Sequence, residues 1–183
     1  MLGNESLWDV AAQCHKLLNS SGIAYAVCGG VAVCLHGYQR NTIDLDLVIR
    51  AEDRDSVRQL LTSAGFLWDT EQAEFRTSDG IAVQFLFAGQ KAGKGSEVTI
   101  AEPVGDLNIE QMEGLSVVRL SRLIEMKIAC GMSNLRRTHK DFADVVELIS
   151  VRNLDGSFAR FLHLSLRPAY RELVRNASAS DDD

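Results

Sequence analysis

Residues 28–49 read CGGVAVCLHGYQRNTIDLDLVI. The apolar run leading into them, 23–28 (IAYAVC), reads as a buried strand. Gly29-Gly30 breaks that strand, and 31–36 reads as a short helix closed by Gly37. Residues 43–49 alternate, with Ile43, Leu45, Leu47 and Ile49 on one face and Asp44, Asp46 and Val48 on the other. That pattern predicts a strand with one face in the core. Paired glycines let the phosphates of a ligand approach the backbone closely. The helix after them directs free N–H groups at the same spot. Asp44 and Asp46, two apart on a strand, share a face. Their charges repel unless a cation lies between them. Mg²⁺, a hard ion completed by phosphate oxygens and water, suits two such carboxylates.

Outward from this stretch, 6–20 follows the helical period, with Leu7, Val10, Ala11, Cys14, Leu17 and Leu18 inward, Ser6 as cap and Gly22 as stop. A second helix is predicted over 53–64, with Val57, Leu60 and Leu61 inward. Strands are predicted at 66–69, 74–77, 81–87 and 115–118, and Asp79-Gly80 marks a hairpin turn. Residues 88–96 (AGQKAGKGS) read as a mobile loop. From Ser121 the period turns helical, giving helices over 121–130, 139–150 and 158–174, the last open to a break before Pro168. The expected organisation is an α/β core over 1–118, a helical extension over 119–176 and a disordered acidic tail over 177–183.

Apolar residues make up 46% of the 183, enough for a core, and charged residues 24%. The net charge of −6 falls to −3 without Asp181, Asp182 and Asp183. An acidic body argues against non-specific nucleic-acid binding, which wants a basic face. Cys14, Cys28, Cys34 and Cys130 form no Cys-x-x-Cys pair and read as free thiols of a reducing cytoplasm. No signal peptide and no apolar run long enough for a membrane span are visible.

An apolar residue, Gly-Gly, a gap and Asp-hydrophobic-Asp-hydrophobic resembles the signature of the DNA polymerase β-like nucleotidyltransferases. Here it is Cys28-Gly29-Gly30, thirteen residues, then Asp44-Leu45-Asp46-Leu47. Arg40, Thr42 and the stretch 120–149 (LSRLIEMKIAC…RRTHKDFADVVELI) resemble small bacterial nucleotidyltransferase-like and AbiEii-type proteins. The resemblance implies an α/β (α+β) fold, a mixed sheet with flanking helices and a helical C-terminal region. It implies transfer of a nucleoside monophosphate from an NTP to an acceptor (a small molecule, protein or RNA end). Asp44 and Asp46 would be catalytic and hold Mg²⁺. Gly29, Gly30, Arg40, Thr42 and Lys127 would bind the nucleotide. Asp141 matches the second helical motif.

The family also supplies a third carboxylate from a neighbouring strand, and the matching position here is Gln84. Glutamine can ligate weakly through its carbonyl but cannot act as a base. Asp79, in the turn, is too far along to replace it. Three readings stay open: an active transferase, a degenerate nucleotide binder, or a toxin–antitoxin-like interaction protein. Plainer readings stand beside individual residues. Lys127 also fits the exposed face of an amphipathic helix, and Asp141 with Asp144 fits helix-surface charge. Arg136, Arg137, His139 and Lys140 suit a solvated loop or a contact to phosphate. The 89–95 loop lacks phosphate-loop spacing, though Lys91 and Lys94 could swing over the site.

Overall fold

The computed structural model describes residues 5–179. The proposed cap, the Ser6 side chain, lies outside the described residues, as do 180–183 of the acidic tail. Helix α1 (Glu5–Ser20) buries Leu7, Val10, Ala11, Cys14 and Leu18. Strand β1 (Tyr25–Cys28) runs straight into α2 (Gly29–Leu35), which starts at the first glycine and not after the pair. Then come β2 (Asp44–Ile49), α3 (Arg54–Ser63), β3 (Leu67–Asp69), β4 (Glu74–Arg76) and β5 (Ala82–Phe87). Strands β6 (Ile109–Met112) and β7 (Leu115–Val118) precede the helices α4 (Leu120–Ser133), α5 (Leu135–Val151) and α6 (Arg167–Ala179).

The seven strands form one mixed sheet in the order β3-β4-β5-β2-β1-β7-β6. At its centre β2 pairs antiparallel with β1 and parallel with β5. This places the end of β1 beside the start of β2, with Cys28 opposite Asp46. Leu45, Leu47 and Ile49 are fully buried, as the alternation requires. Val48 is buried too, because both faces of the central strand are covered along that half. Ile43 departs from expectation: it precedes the strand and is 80% exposed. The Asp79-Gly80 hairpin forms, with Gly80 at φ +84° and Thr77 and Ile81 paired across it.

Several segments differ from the sequence reading. Strand β6 was not foreseen, and its half-buried, polar run Ile109–Met112 explains why. Residues 88–96 are not free. Gly89 and Gln90 bond to Ile100, Ala92 bonds to Val98, and Gly93 lies against the Ala129 carbonyl of α4, where a side chain would not fit. Helix α5 begins at Leu135, four residues earlier than predicted, because the Asn134 side chain accepts the Arg136 amide as an N-cap. The third C-terminal helix is instead two short 3₁₀ turns, Gly156–Phe161 and Leu164–Leu166, followed by α6. Pro168 sits in the first turn of α6, where its missing N–H costs nothing. Helix α6 continues to Ala179, past residue 176 where the helical part was expected to end.

Candidate active site

Asp44 and Asp46 stand two apart on β2 and both are half-buried. Thr42 donates its hydroxyl to Asp44 Oδ1 at 3.2 Å. The Asp46 carboxylate lies against Gly29, and a Cβ there would fall inside it. Gly29 also holds φ +61°, a conformation L side chains rarely adopt. The first glycine therefore makes room for the carboxylate itself. The second is hemmed in by Thr42 Oγ1, and Arg40 Nη2 lies 3.0 Å from where its Cβ would be. Cys28, Gly29, Gly30, Arg40, Thr42, Asp44 and Asp46 thus come together at one end of the sheet.

Burial raises the Asp46 carboxyl pKa to about 6, and the neighbouring charge of Asp44 adds to the rise. Arg137, Lys127 and Lys140 act against it, which places these α4 and α5 cations within electrostatic reach of Asp46. The residues fit a divalent cation: two hard oxygen donors share a strand face, and one of them resists ionising alone. Among the described residues no cluster of three or more metal-binding side chains occurs.

Behind the carboxylates lies a chain of ion pairs that the sequence did not reveal. Arg40 grips Asp144 with two nitrogens, at 2.8 and 3.1 Å. Lys127 Nζ reaches Asp144 at 2.7 Å and Asp141 at 3.2 Å. Arg137 Nε closes on Asp141 at 3.2 Å. Lys127, Asp141 and Asp144 are all buried, so neither the exposed-lysine nor the surface-carboxylate reading applies. Lys127 is not poised alone toward a phosphate: both its partners are internal. Arg136, His139 and Lys140 are exposed on the first turns of α5. Lys94 lines a shallow cavity of about 250 Å³ with Ala129, Met132, Ser133, Ser165 and Leu166, away from the carboxylates. The backbone of Lys91 forms an isolated antiparallel bridge with Thr99.

Gln84 lies in register with Asp46 across the parallel β2–β5 pair. Its Nε2 donates to Glu74 Oε2 at 2.7 Å. Glu74 is buried on β4 and ion-paired with Arg76. Glu74 escaped the sequence reading: counting outward from a two-residue Asp79-Gly80 turn sets Phe75 opposite Gln84, whereas the observed register pairs Phe75 with Val83 and so brings Glu74 opposite Gln84.

The sequence model of the aminoglycoside-2''-adenylyltransferase family matches residues 10–134, about two thirds of the chain. The chain belongs to the aminoglycoside-2''-adenylyltransferase family. It is a nucleotidyltransferase-like protein with the fold expected of that superfamily. ANT(2")-Ia in complex with adenylyl-2"-tobramycin superposes with a TM-score of 0.62 at 12% identity, over 91% of this chain and 98% of that one. A nucleotidyltransferase-like protein from Paracoccidioides brasiliensis gives 0.57 at 20% identity, over 94% and 89%. A lincomycin-bound lincosamide antibiotic adenylyltransferase gives 0.53 at 18%, over 81% and 98%. These likenesses concern the fold. Curated protein sequences yielded no match. The span shared with the adenylyltransferase family holds Gly29, Gly30, Asp44, Asp46, Gln84 and Lys127 but ends before α5. Among the described residues no helix is long and apolar enough to cross a membrane.

Proposed function

We propose that this chain transfers a nucleoside monophosphate from a Mg²⁺-bound NTP to a small-molecule hydroxyl, at the site built on Asp44 and Asp46. One observation carries this reading: two half-buried carboxylates share a face of β2, with Asp46 against Gly29 and within electrostatic reach of Arg137, Lys127 and Lys140. The family name and the antibiotic ligands of two similar structures favour a small acceptor over a protein or RNA end. In the reaction an acceptor oxygen bonds to the α-phosphorus, the bond to the departing pyrophosphate breaks, and the acceptor proton passes to water.

Asp44 and Asp46 would hold Mg²⁺, which would neutralise triphosphate charge and stabilise the leaving pyrophosphate. Thr42 orients Asp44 through its hydroxyl. Gly29 and Gly30 keep the space beside both residues free of side chains. Arg40 and Lys127, held by Asp144 and Asp141, supply positive potential from behind. Arg137 and Lys140, exposed on α5 and within electrostatic reach of Asp46, suit contacts to phosphate. Residues 1–118 then act as the core and 119–176 as the helical part that backs the site. Free, mostly buried thiols suit a reducing cytoplasm.

A second reading, nucleotide binding without transfer, is favoured by one observation. Gln84 stands in register with Asp46 where the superfamily has a carboxylate. Thermal melts with ATP, GTP, CTP or UTP, with and without Mg²⁺, test both. A nucleotide at a hundred times its dissociation constant adds about 2.7 kcal/mol, a shift of several degrees. We expect a Mg²⁺-dependent shift with at least one NTP, lost in Asp44→Asn/Asp46→Asn. No shift with any of the four would sink both nucleotide readings. Pyrophosphate release on adding an acceptor then separates transferase from binder.

A further inference from the structure

Strand registers set three side chains in a row across the sheet. Asp46 on β2 is in register with Gln84 on β5. The antiparallel pairing of Phe75 with Val83 sets Glu74 on β4 opposite Gln84. Side chains in register share a face and stand about 5 Å apart. Gln84 is therefore flanked by a carboxylate on each side.

An ionised carboxylate only accepts hydrogen bonds, whereas a glutamine amide has one donating and one accepting end. The 2.7 Å contact between Glu74 and Gln84 must therefore be made by the Gln84 Nε2. The carbonyl Oε1 leaves the same carbon at about 120° to Nε2, so it is turned away from β4. Reversing the amide would set oxygen against oxygen and strip a buried carboxylate of a donor, which the interior penalises. Glu74 is itself fixed, since Arg76 pairs with its other oxygen. Arg76 is held in turn by Asp69 and by the Gly80 carbonyl.

We infer that Glu74 is a positioning residue: it locks the Gln84 amide so that its carbonyl oxygen faces the Asp46 side and serves as the third oxygen of the metal–nucleotide site. This rests on the proposed reading of Asp44 and Asp46. The charge that relatives place beside the metal ligands is here moved one strand outward, and a neutral oxygen faces the site. Gln84 can accept a hydrogen bond or lend a weak ligand there, but it cannot take a proton.

The test uses the full chain as wild type, Glu74→Gln, Gln84→Glu and the exchanged double variant. ATP, with and without Mg²⁺, serves as probe, read by calorimetric affinity and by melting temperature. In Glu74→Gln, Arg76 keeps the oxygen of the new amide, so its NH2 end faces Gln84 and the Gln84 carbonyl is no longer locked toward Asp46. Arg76 keeps Asp69 and the Gly80 carbonyl, so the fold survives. We expect Mg²⁺-ATP affinity to fall about fivefold to tenfold, with Mg²⁺-free ATP affinity unchanged. Gln84→Glu sets two carboxylates within contact distance, and its melting temperature should fall, more at pH 8 than at pH 5. The exchanged variant puts the acid beside Asp46 and the amide outside. It should regain the melting temperature and bind Mg²⁺-ATP at least as tightly as wild type. Unchanged Mg²⁺-ATP affinity in Glu74→Gln, with wild-type binding intact, overturns the positioning role alone. No Mg²⁺-dependent ATP binding by the wild type overturns the site reading, and the inference with it.

Discussion

Asp46 is held in a state that folding alone does not favour. Its carboxyl titrates at about 6 in the folded chain, against 3.8 for an ordinary aspartate, because burial and Asp44 both oppose its charge. The folded state therefore binds this proton more tightly than the unfolded state. Stability from this group is fully present below pH about 4, is lost as pH rises toward about 6, and stays lost above it. Removing the charge should return it. Asp46→Asn is expected to raise the unfolding free energy at pH 7 by roughly 2 kcal/mol, with the gain vanishing near pH 4. Urea melts at the two pH values check this. A variant less stable than wild type at pH 7 would overturn it. The pairing of Asp44 with Asp46 was legible from their spacing, since a strand has a period of two. The reason for Gly29 was not. Only coordinates show that a side chain there would collide with the Asp46 carboxylate. Gly29→Ala should accordingly abolish Mg²⁺-dependent NTP stabilisation while a folded chain remains. Retained stabilisation in that variant would remove the steric argument.

At the scale of elements, α4 and α5 meet through charge as well as through apolar packing. The stripe Leu123, Ile124, Ile128 and the stripe Phe142, Val145, Val146, Ile149 were both readable from helical periodicity; the first is buried, and in the second Val145 and Ile149 are buried while Phe142 and Val146 are partly so. Lys127 is also buried, on the face that the helical period assigns to the core, but its partners were not readable, because they lie fourteen and seventeen residues along on the next helix. The sequence distance hides which helix faces meet, whereas each face is visible alone. Glu74 was missed for a similar reason: its meaning lies in a register across strands, not in its neighbours. Buried ion pairs resist loss of one partner. Lys127→Met leaves Asp141 with only the exposed Arg137 and Asp144 with only Arg40. Destabilisation of about 3–5 kcal/mol is expected, read as a lower urea midpoint at unchanged slope. Lys127→Met/Asp141→Asn should recover part of that loss, since it removes an unpaired buried charge with the lysine. A Lys127→Met loss under about 1 kcal/mol would mean that water reaches the cluster.

For the whole molecule, the division at residue 118 marks a change in sequence period but not a break in the core. One hydrophobic cluster runs from Leu7 and Val10 of α1 through Leu45 and Leu47 of β2 to Ile124, Ile128, Val145 and Leu148 of the C-terminal helices. The ionic chain crosses the same boundary, since Arg40 precedes β2 while Asp144 lies on α5. A helical part docked loosely on a finished core would melt by itself. Elements that share apolar contacts and a buried ion network should unfold together. Calorimetry of the full chain should therefore show one transition whose van't Hoff and calorimetric enthalpies agree. The fragment 1–118, stripped of the Asp144 partner of Arg40 and of the C-terminal part of the hydrophobic cluster, should show no cooperative transition. Two resolved transitions in the full chain, or a cooperative melt of the fragment, would make the helical part an independent unit. The site would then be a property of the sheet half alone, with α4 and α5 only tuning it.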